Sequence, residues 1–454
     1  NGGMKVWLVL LGLLGAQAEG RVIVISMDGL RPDAVTTLGP EKAPNFYRLR
    51  EDGAFTDNAR TDYHFSETLP NHTSMITGRP VLGPGGHGLD VNVGGSRTNL
   101  HVSGYIASMF DVAHDHGYST ALISGKGKFE AFSASYDRDK GAVDEVGDDD
   151  GRDKIDFFKH YITDDLSVDG FLESMRFFAW DLSMLHLKGI DVTGHAEDWD
   201  LDPESSYMKK VQELDGLLGR VFEFVDGTPA FAGTTHLIVL SDHGGTEGTK
   251  SHLNAEVPTN FTVPFYVWGP GVLPGGDLYE LNPGYTDPGS SRPETNSPDQ
   301  SIRNGMAGNL ALQLMDLPAI PGSIHNFSQQ FRINHPPTYG SLYEGLDPDE
   351  DANGNGLSNF ADYLIGADPR GPHRPDLLPK VEGRFMVIHL RHNVPDVQPQ
   401  IEISLNGVDW GRLVEGATFV RRTAEETRDG IKLTVEASTF SDKALLRQVM
   451  EPAE

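Results

Sequence analysis

The sequence predicts an α/β domain, with a mostly parallel sheet flanked by helices, followed by a small C-terminal β domain. Mostly apolar, β-branched runs without polar alternation recur at residues 21–27, 120–124, 236–241 and 263–268. Strands of that composition are buried on both faces, as in parallel sheets. Helical periodicity lies between them, at 105–116 and 207–224, and strands alternating with helices point to a covered parallel sheet. The C-terminal part rests on 384–390, 400–405, 419–422 and 431–435, which alternate or cluster like strands with few helical signals between them.

Taken in chain order, Asn1-Gly2-Gly3 reads as a tag remnant. It precedes Met4-Lys5, an apolar run from Val6 to Gly15, and Ala16-Gln17-Ala18. A basic start, a short apolar stretch and an A-x-A site predict a signal peptide over 1–18, hence export to the periplasm, cell surface or medium. The run is too short to span a bilayer, and no later run is long enough, so no transmembrane span is expected. The catalytic domain is expected over 20–340. Within it the acidic 143–153 and the Pro- and Ser-rich 282–300 read as loops, and 301–317 as a helix. A linker dense in Asp, Asn, Gly and Pro follows at 345–373, then the β-rich domain at 374–454, whose partner the sequence does not indicate.

Of the 454 residues, 37 are Lys or Arg and 66 Asp or Glu, a formal net charge of −29. Such a chain lacks the basic footprint of a nucleic-acid scaffold binder, and an anionic substrate would need positive charge supplied locally. The chain has no Cys, which removes disulfides, thiolate metal sites and Cys nucleophiles together.

In open α/β sheets, chemistry gathers at the carboxyl ends of strands. Four strand-end or loop clusters hold metal-ligand types: Met27-Asp28-Gly29; Glu67-Thr68-Leu69-Pro70-Asn71-His72; Asp191-Val192-Thr193-Gly194-His195; and Ser241-Asp242-His243-Gly244, trailed by His252. Three carboxylates (Asp28, Asp191, Asp242) and three imidazoles (His195, His243, His252) suffice for two divalent ions at three ligands each, and the N/O donor set suits zinc, with manganese or iron also accepted. Singly, each piece has a plainer reading: Asp28 as a helix N-cap, Asp242-His243 as a cap and a surface His, Thr68 as a polar loop residue.

Order and spacing together resemble the alkaline phosphatase superfamily, closest to its type I phosphodiesterase / nucleotide pyrophosphatase branch. Val24-Ile25-Ser26-Met27-Asp28-Gly29 is similar to that branch's opening strand and first ligand, Thr68-Leu69-Pro70-Asn71-His72 to its nucleophile motif, and His87-Gly88-Leu89-Asp90-Val91-Asn92 to the element that follows. The resemblance spans about 21–330. It implies that Asp191, His195 and His252 hold one ion, while Asp28, Asp242 and His243 hold the other with Thr68 Oγ. It also implies that Thr68 attacks phosphorus to give a phosphothreonine, and that Asn92 donates to a non-bridging oxygen. Lys126 and Lys128, at the end of the 120–124 run, match the place where some phosphatase and sulfatase branches hold the anion. They depart from the diesterase pattern, so the small phosphoester substrate is a monoester or a diester. A sulfatase needs an oxidisable Cys or Ser where Thr68 stands. A sulfatase-like or phosphonate-ester hydrolase is the alternative within the superfamily, and a catalytically degenerate binding or adhesion protein the alternative outside enzymes.

Beyond the catalytic region, Asp351, Asn353, Asn355, Leu357 and Asp362 fit the D-x-[DN]-x-[DN]-G-x5-acid spacing of an EF-hand-like calcium loop, with Asp362 in place of the usual Glu. Calcium is expected there through the Leu357 carbonyl and the other four side chains. A polar flexible linker is the plainer alternative.

Overall fold

The computed structural model describes residues 20–102, 104–147, 149, 151–334, 343, 345–347, 350–359, 362 and 369–371, and the strands between 380 and 452. The expected leader over 1–18 lies outside the described residues. Two compact units result, residues 20–279 with Pro283–Ile333, and Glu280–Asn282 with the chain from Asn334 onward.

In the first unit the strands are β1 (Arg21–Met27), β2 (Ala54–Arg60), β3 (Thr120–Ser124), β4 (Phe157–His160), β5 (Leu182–Leu187), β6 (Thr235–Leu240), β7 (Thr262–Trp268) and β8 (Gly276–Asp277). They form one 8-stranded sheet in the order β4-β3-β5-β1-β6-β7-β2-β8. From β4 to β6 every neighbour is parallel, and β7 runs antiparallel to both β6 and β2. The central strands are buried along almost their whole length, as the uninterrupted apolar runs predict.

Helices α1 (Pro32–Lys42), α2 (Pro44–Glu51), α3 (Thr68–Thr77), α4 (Met109–Asp115), α5 (Glu130–Ser135), α6 (Asp164–Phe178), α7 (Gly189–Ala196) and α8 (Ser206–Gly227) connect the strands. Helix α8 shows why the pattern folds this way. Ser205 caps it, accepting from Met208 N at 3.1 Å, and Tyr207, Val211, Leu214, Leu218, Val221 and Val225 form its buried stripe. One carboxylate, Asp215, interrupts that stripe and accepts from Asn45 N and Phe46 N at 3.0 and 2.8 Å. It thereby satisfies the first turn of α2, whose own N-cap, Ala43, has no side-chain acceptor.

Four elements differ from expectation. The helix expected over 105–116 begins at Met109, because Ser108 and Asp111 form a capping box that fixes its start. The helix expected over 301–317 is a 3₁₀ turn, Asn304–Met306, and a helix, Ala307–Leu314. Strand β5 carries Ser183 and His186 within its apolar run, and β2 has the polar composition AFTDNAR; neither follows the uninterrupted pattern. No helix among the described residues is long and apolar enough to cross a membrane.

In the second unit, described strands β9 (Lys380–Glu382), β10 (Phe385–Leu390), β11 (Val397–Ser404), β12 (Gly411–Arg412), β13 (Val420–Thr427), β14 (Gly430–Ala437) and β15 (Leu445–Pro452) pair antiparallel in two sheets, β13-β14-β10-β9 and β12-β11-β15.

Candidate active site

Asp28 leaves β1 at the turn that Gly29 makes with φ 78°. A Cβ on Gly29 would lie 3.0 Å from Asp191 Cα and Cβ, so both the backbone angle and the close approach require glycine. Main-chain bonds lock the approach, from Asp28 N to Leu187 O at 2.9 Å and from Asp191 N to Asp28 O at 3.0 Å. Asp191 and His195 do not lie on a loop. They sit on α7 four residues apart, so one helix face presents both. Thr68 is the first residue of α3, a helix buried on every side.

The six expected ligands converge. Asp191 Oδ1 lies 3.3 Å from His195 Nε2 and 3.7 Å from His252 Nε2, and the two imidazole nitrogens are 3.1 Å apart. His243 Nε2 lies 3.4 Å from both Asp28 Oδ1 and Asp242 Oδ2. Four ligands held tetrahedrally at about 2.0–2.1 Å from zinc would be about 3.3 Å from one another, so both groups have the spacing of a coordination shell. The His243 ring stacks on His252 with centroids 3.6 Å apart, and its Nε2 is 3.9 Å from Asp191 Oδ1. His243 therefore faces both groups, but its shorter contacts assign it to Asp28 and Asp242.

The donor chemistry supports metal binding. His195, His243 and His252 each place Nδ1 on a backbone carbonyl, of Lys250, Gly244 and Ser66. A carbonyl only accepts, so each Nδ1 carries a proton and Nε2 is the nitrogen turned to the cluster, the one through which a metal-binding imidazole with this second-shell bond would coordinate. Asp28 Oδ1, Asp191 Oδ1, Asp242 Oδ2 and His243 Nε2 are buried and have no hydrogen-bond partner. Four orphaned polar atoms converging on one place are the exception to normal satisfaction, and paired cations account for all four. Electrostatics inside the cluster are extreme. Burial, reinforced by Asp28, pushes the Asp242 carboxyl up to about 7. Burial opposes charge on His243, but Asp242 and Asp28 raise it to about 9.

Lys126 reaches into the same place. Its Nζ lies 2.6 Å from Asp28 Oδ2, 2.7 Å from Asp191 Oδ2 and 3.1 Å from Thr68 Oγ1. One ammonium thus joins a carboxylate of each group to the threonine hydroxyl, and the two aspartates raise the Lys126 pKa despite its burial. Lys128 Nζ donates to Asn92 Oδ1 at 2.9 Å, and the same oxygen accepts from Leu69 N at 3.0 Å. With its oxygen so engaged, Asn92 is tied to the start of α3 and keeps its amide NH2 as the donating group. The structure thus draws Thr68, Asn92, Lys126 and Lys128 to the metal-ligand cluster.

Three residues at the site were not singled out from the sequence. His186, at the end of β5, donates from Nε2 to Asp28 Oδ2 at 2.8 Å. Trp199, fully buried, packs edge-on to His195 and His252 and donates from Nε1 to Gly29 O at 3.3 Å. Ser26 Oγ bonds His72 Nε2 at 2.8 Å, and His72 Nδ1 bonds Thr68 O at 2.7 Å, bracing the Thr68 backbone from one turn away. The only signal for His186 was a lone imidazole closing an apolar run just before Asp191.

In the second unit, the predicted calcium-loop side chains also meet. Asn353 Nδ2 and Asn355 Nδ2 donate to the two oxygens of Asp362 at 2.8 and 2.7 Å, while Asp351 accepts from Asn355 N at 3.1 Å and from Gly356 N at 2.8 Å. Leu357 N bonds Asn355 Oδ1 at 2.8 Å.

A sequence profile for type I phosphodiesterase / nucleotide pyrophosphatase matches residues 22–93 and 101–292, a span that includes all six ligands with Thr68, Asn92, Lys126 and Lys128. The chain belongs to this family. It is accordingly a phosphoric ester hydrolase of a metal-dependent kind. A comparison with curated proteins finds no match. Among solved structures, murine ectonucleotide pyrophosphatase / phosphodiesterase 5, in complex with AMP, is 14% identical over 69% of this chain and 100% of that one, with a TM-score of 0.47. A protein of the alkaline phosphatase superfamily from Vibrio parahaemolyticus is 16% identical over 69% and 70% of the two chains, TM-score 0.47. A putative sulfatase from Bacteroides thetaiotaomicron is 12% identical over 91% and 85%, TM-score 0.45.

Proposed function

We propose that the chain is an exported enzyme that hydrolyses small phosphoesters through attack of Thr68 Oγ1 on phosphorus, with two divalent ions, zinc by donor type, held by Asp191, His195 and His252 and by Asp28, Asp242 and His243. The observation that carries this reading is the set of four buried, partnerless donor atoms on Asp28, Asp191, Asp242 and His243. When bound, the ions supply charge that favours ionisation of the threonine hydroxyl and stabilises the attacking and leaving oxygens.

The chain's own residues account for the rest. His72 holds the Thr68 carbonyl, so the hydroxyl is presented from a fixed first helical turn. Lys126 touches that hydroxyl and favours its anion. Phosphoryl transfer to Thr68 expels the leaving alcohol, and water then cleaves the phosphothreonine to release phosphate. Lys128 and Asn92 are bonded to each other at the start of α3, where Asn92 accepts from Leu69 N, next to Thr68 in the chain, suited to the equatorial oxygens of the transferring group. Two lysines beside the nucleophile favour a dianionic phosphomonoester over a diester. Export is supported by the basic, apolar and A-x-A pattern over 1–18, and calcium in the 351–362 loop by the convergence of Asp351, Asn353, Asn355 and Asp362.

Turnover of p-nitrophenyl phosphate and of bis-p-nitrophenyl phosphate, with zinc and after chelation, tests the reading. Zinc-dependent hydrolysis that disappears in Thr68→Ala supports it. A folded, zinc-loaded protein that cleaves neither ester supports a binding protein instead.

A further inference from the structure

His186 lies outside both ligand groups, yet it is fully buried against them. Strand β5 runs between β3 and β1, and the register places His186 on the same rung as Ser124 of one neighbour and Ser26 of the other. Asp28 follows Ser26 by two residues, so the imidazole and the carboxylate reach the same end and face of the sheet.

Hydrogen bonds determine the direction of the ring. Gly125 N donates to His186 Nδ1 at 3.2 Å, so Nδ1 is the acceptor and the proton sits on Nε2. That proton points at Asp28 Oδ2, 2.8 Å away. Lys126 Nζ, on the residue after Gly125, donates to the same oxygen. Asp28 Oδ2 thus receives two donors while Oδ1 receives none and faces His243 and Asp242. Phe129 packs on one side of the imidazole at 4.3 Å, and His72 meets it edge-on at 5.0 Å, so the ring has no room to swing away.

We propose that His186 is a positioning residue. By occupying Asp28 Oδ2 from β5, it fixes the carboxylate rotamer that offers Oδ1 to the cation of the Asp28, Asp242 and His243 group. This rests on the two-cation reading of the site. Its specific content is asymmetry: His186 supports one ion and not the other, because among the described residues its side-chain hydrogen bonds run to Asp28, Ser124 and Gly125 and to none of Asp191, His195 and His252.

The test is zinc affinity by competition with a chromophoric chelator, on the full chain, for wild type, His186→Gln, His186→Asn and His186→Leu, with thermal melting in chelator as a check of folding. Gln can place an amide donor where Nε2 stands. Asn reaches only as far as Nδ1 and cannot touch Asp28. Leu fills the volume without donors. Outer partners of metal ligands typically contribute about 10–100-fold in affinity. The expected result is two ions in wild type and in Gln, within about threefold of each other. In Asn and Leu, one ion is weakened by about 10–100-fold and the other is unchanged. Should Leu fail to fold, the contrast between Asn and Gln decides. Folded Asn binding both ions as tightly as wild type, equal weakening of both ions, or Gln as weak as Asn overturns the role of His186 while leaving the site reading intact. Wild type binding no zinc overturns both.

Discussion

Lys126→Met keeps the length of the side chain and removes its charge, and its cost should depend on whether metal is present. The ammonium is 14% exposed and sits between Asp28 and Asp191, whose side chains are 0% and 4% exposed. Removing one partner of a buried ion pair costs about 3–5 kcal/mol, because the remaining charge is stranded away from water. Asp242 adds a third carboxylate to the same cluster. In chelator, then, the variant should lose about 3–5 kcal/mol, and at about 2 °C per kcal/mol for a large domain the melting midpoint should fall by about 6–10 °C. With zinc, two dications facing three carboxylates take over the neutralisation, and the deficit should shrink to less than half. Differential scanning fluorimetry in EDTA and in zinc reads both arms. A deficit of equal size in the two conditions, or none in EDTA, would refute the claim that this lysine shares the charge duty of the cations.

Three further outcomes follow from the geometry. A Cβ on Gly194 would lie 2.3–2.6 Å from the Trp199 indole, whereas one on Gly216, inside α8, meets nothing within 4 Å. Gly194→Ala should therefore cost about 1–3 kcal/mol by overpacking and weaken zinc binding. Gly216→Ala should stabilise by up to about 1 kcal/mol. Urea melts that rank them the other way would contradict this. His87 and His325 are both pushed down to about 3 by burial. A His depressed in the folded state lets the unfolded chain take up protons first, so stability is complete above about 6.5 and falls as pH drops toward 3. At pH 5 the loss is about 2 kcal/mol per residue, so His325→Gln should remove about 2 kcal/mol of the pH 7.5-to-5 decrease in unfolding free energy read from urea melts; an unchanged decrease would count against it. Calcium at 100 times its Kd should stabilise the second unit by about 2.7 kcal/mol, and Asp362→Ala should abolish that gain in calorimetry; a gain that persists in the variant rejects the loop as the site.

Local pattern revealed much of this fold and tertiary pairing the remainder. Strands β1, β3, β6 and β7 and helix α8 were readable because each is uniformly buried or cleanly amphipathic. Strand β5 was not, since Ser183 and His186 interrupt its run, and their polarity makes sense only once β3 and β1 flank it. The residues of the candidate metal site were readable because each follows an apolar run or matches a family motif. The helix beneath Asp191 and His195 was hidden by Val192, Thr193 and Gly194, poor helix formers that packing overrides. Nor could spacing show that Lys126 pairs with Asp28 and Asp191, which lie 98 and 65 positions away in the chain.

The connectivity of the ligands has a consequence for when the protein gains its chemistry. Each triad draws on separated stretches: Asp28 joins a pair more than two hundred residues later, and the helical pair Asp191 and His195 is completed by His252. A chain in which α7 and the segment after β6 have not met holds only fragments of the Asp191, His195 and His252 chelate, and one in which β1 and β6 are not aligned holds only fragments of the other. On the two-cation reading, capture of the ions would be a read-out of completed folding, and their binding energy would act as a clasp across the middle of the sheet, favouring the finished topology over its precursors.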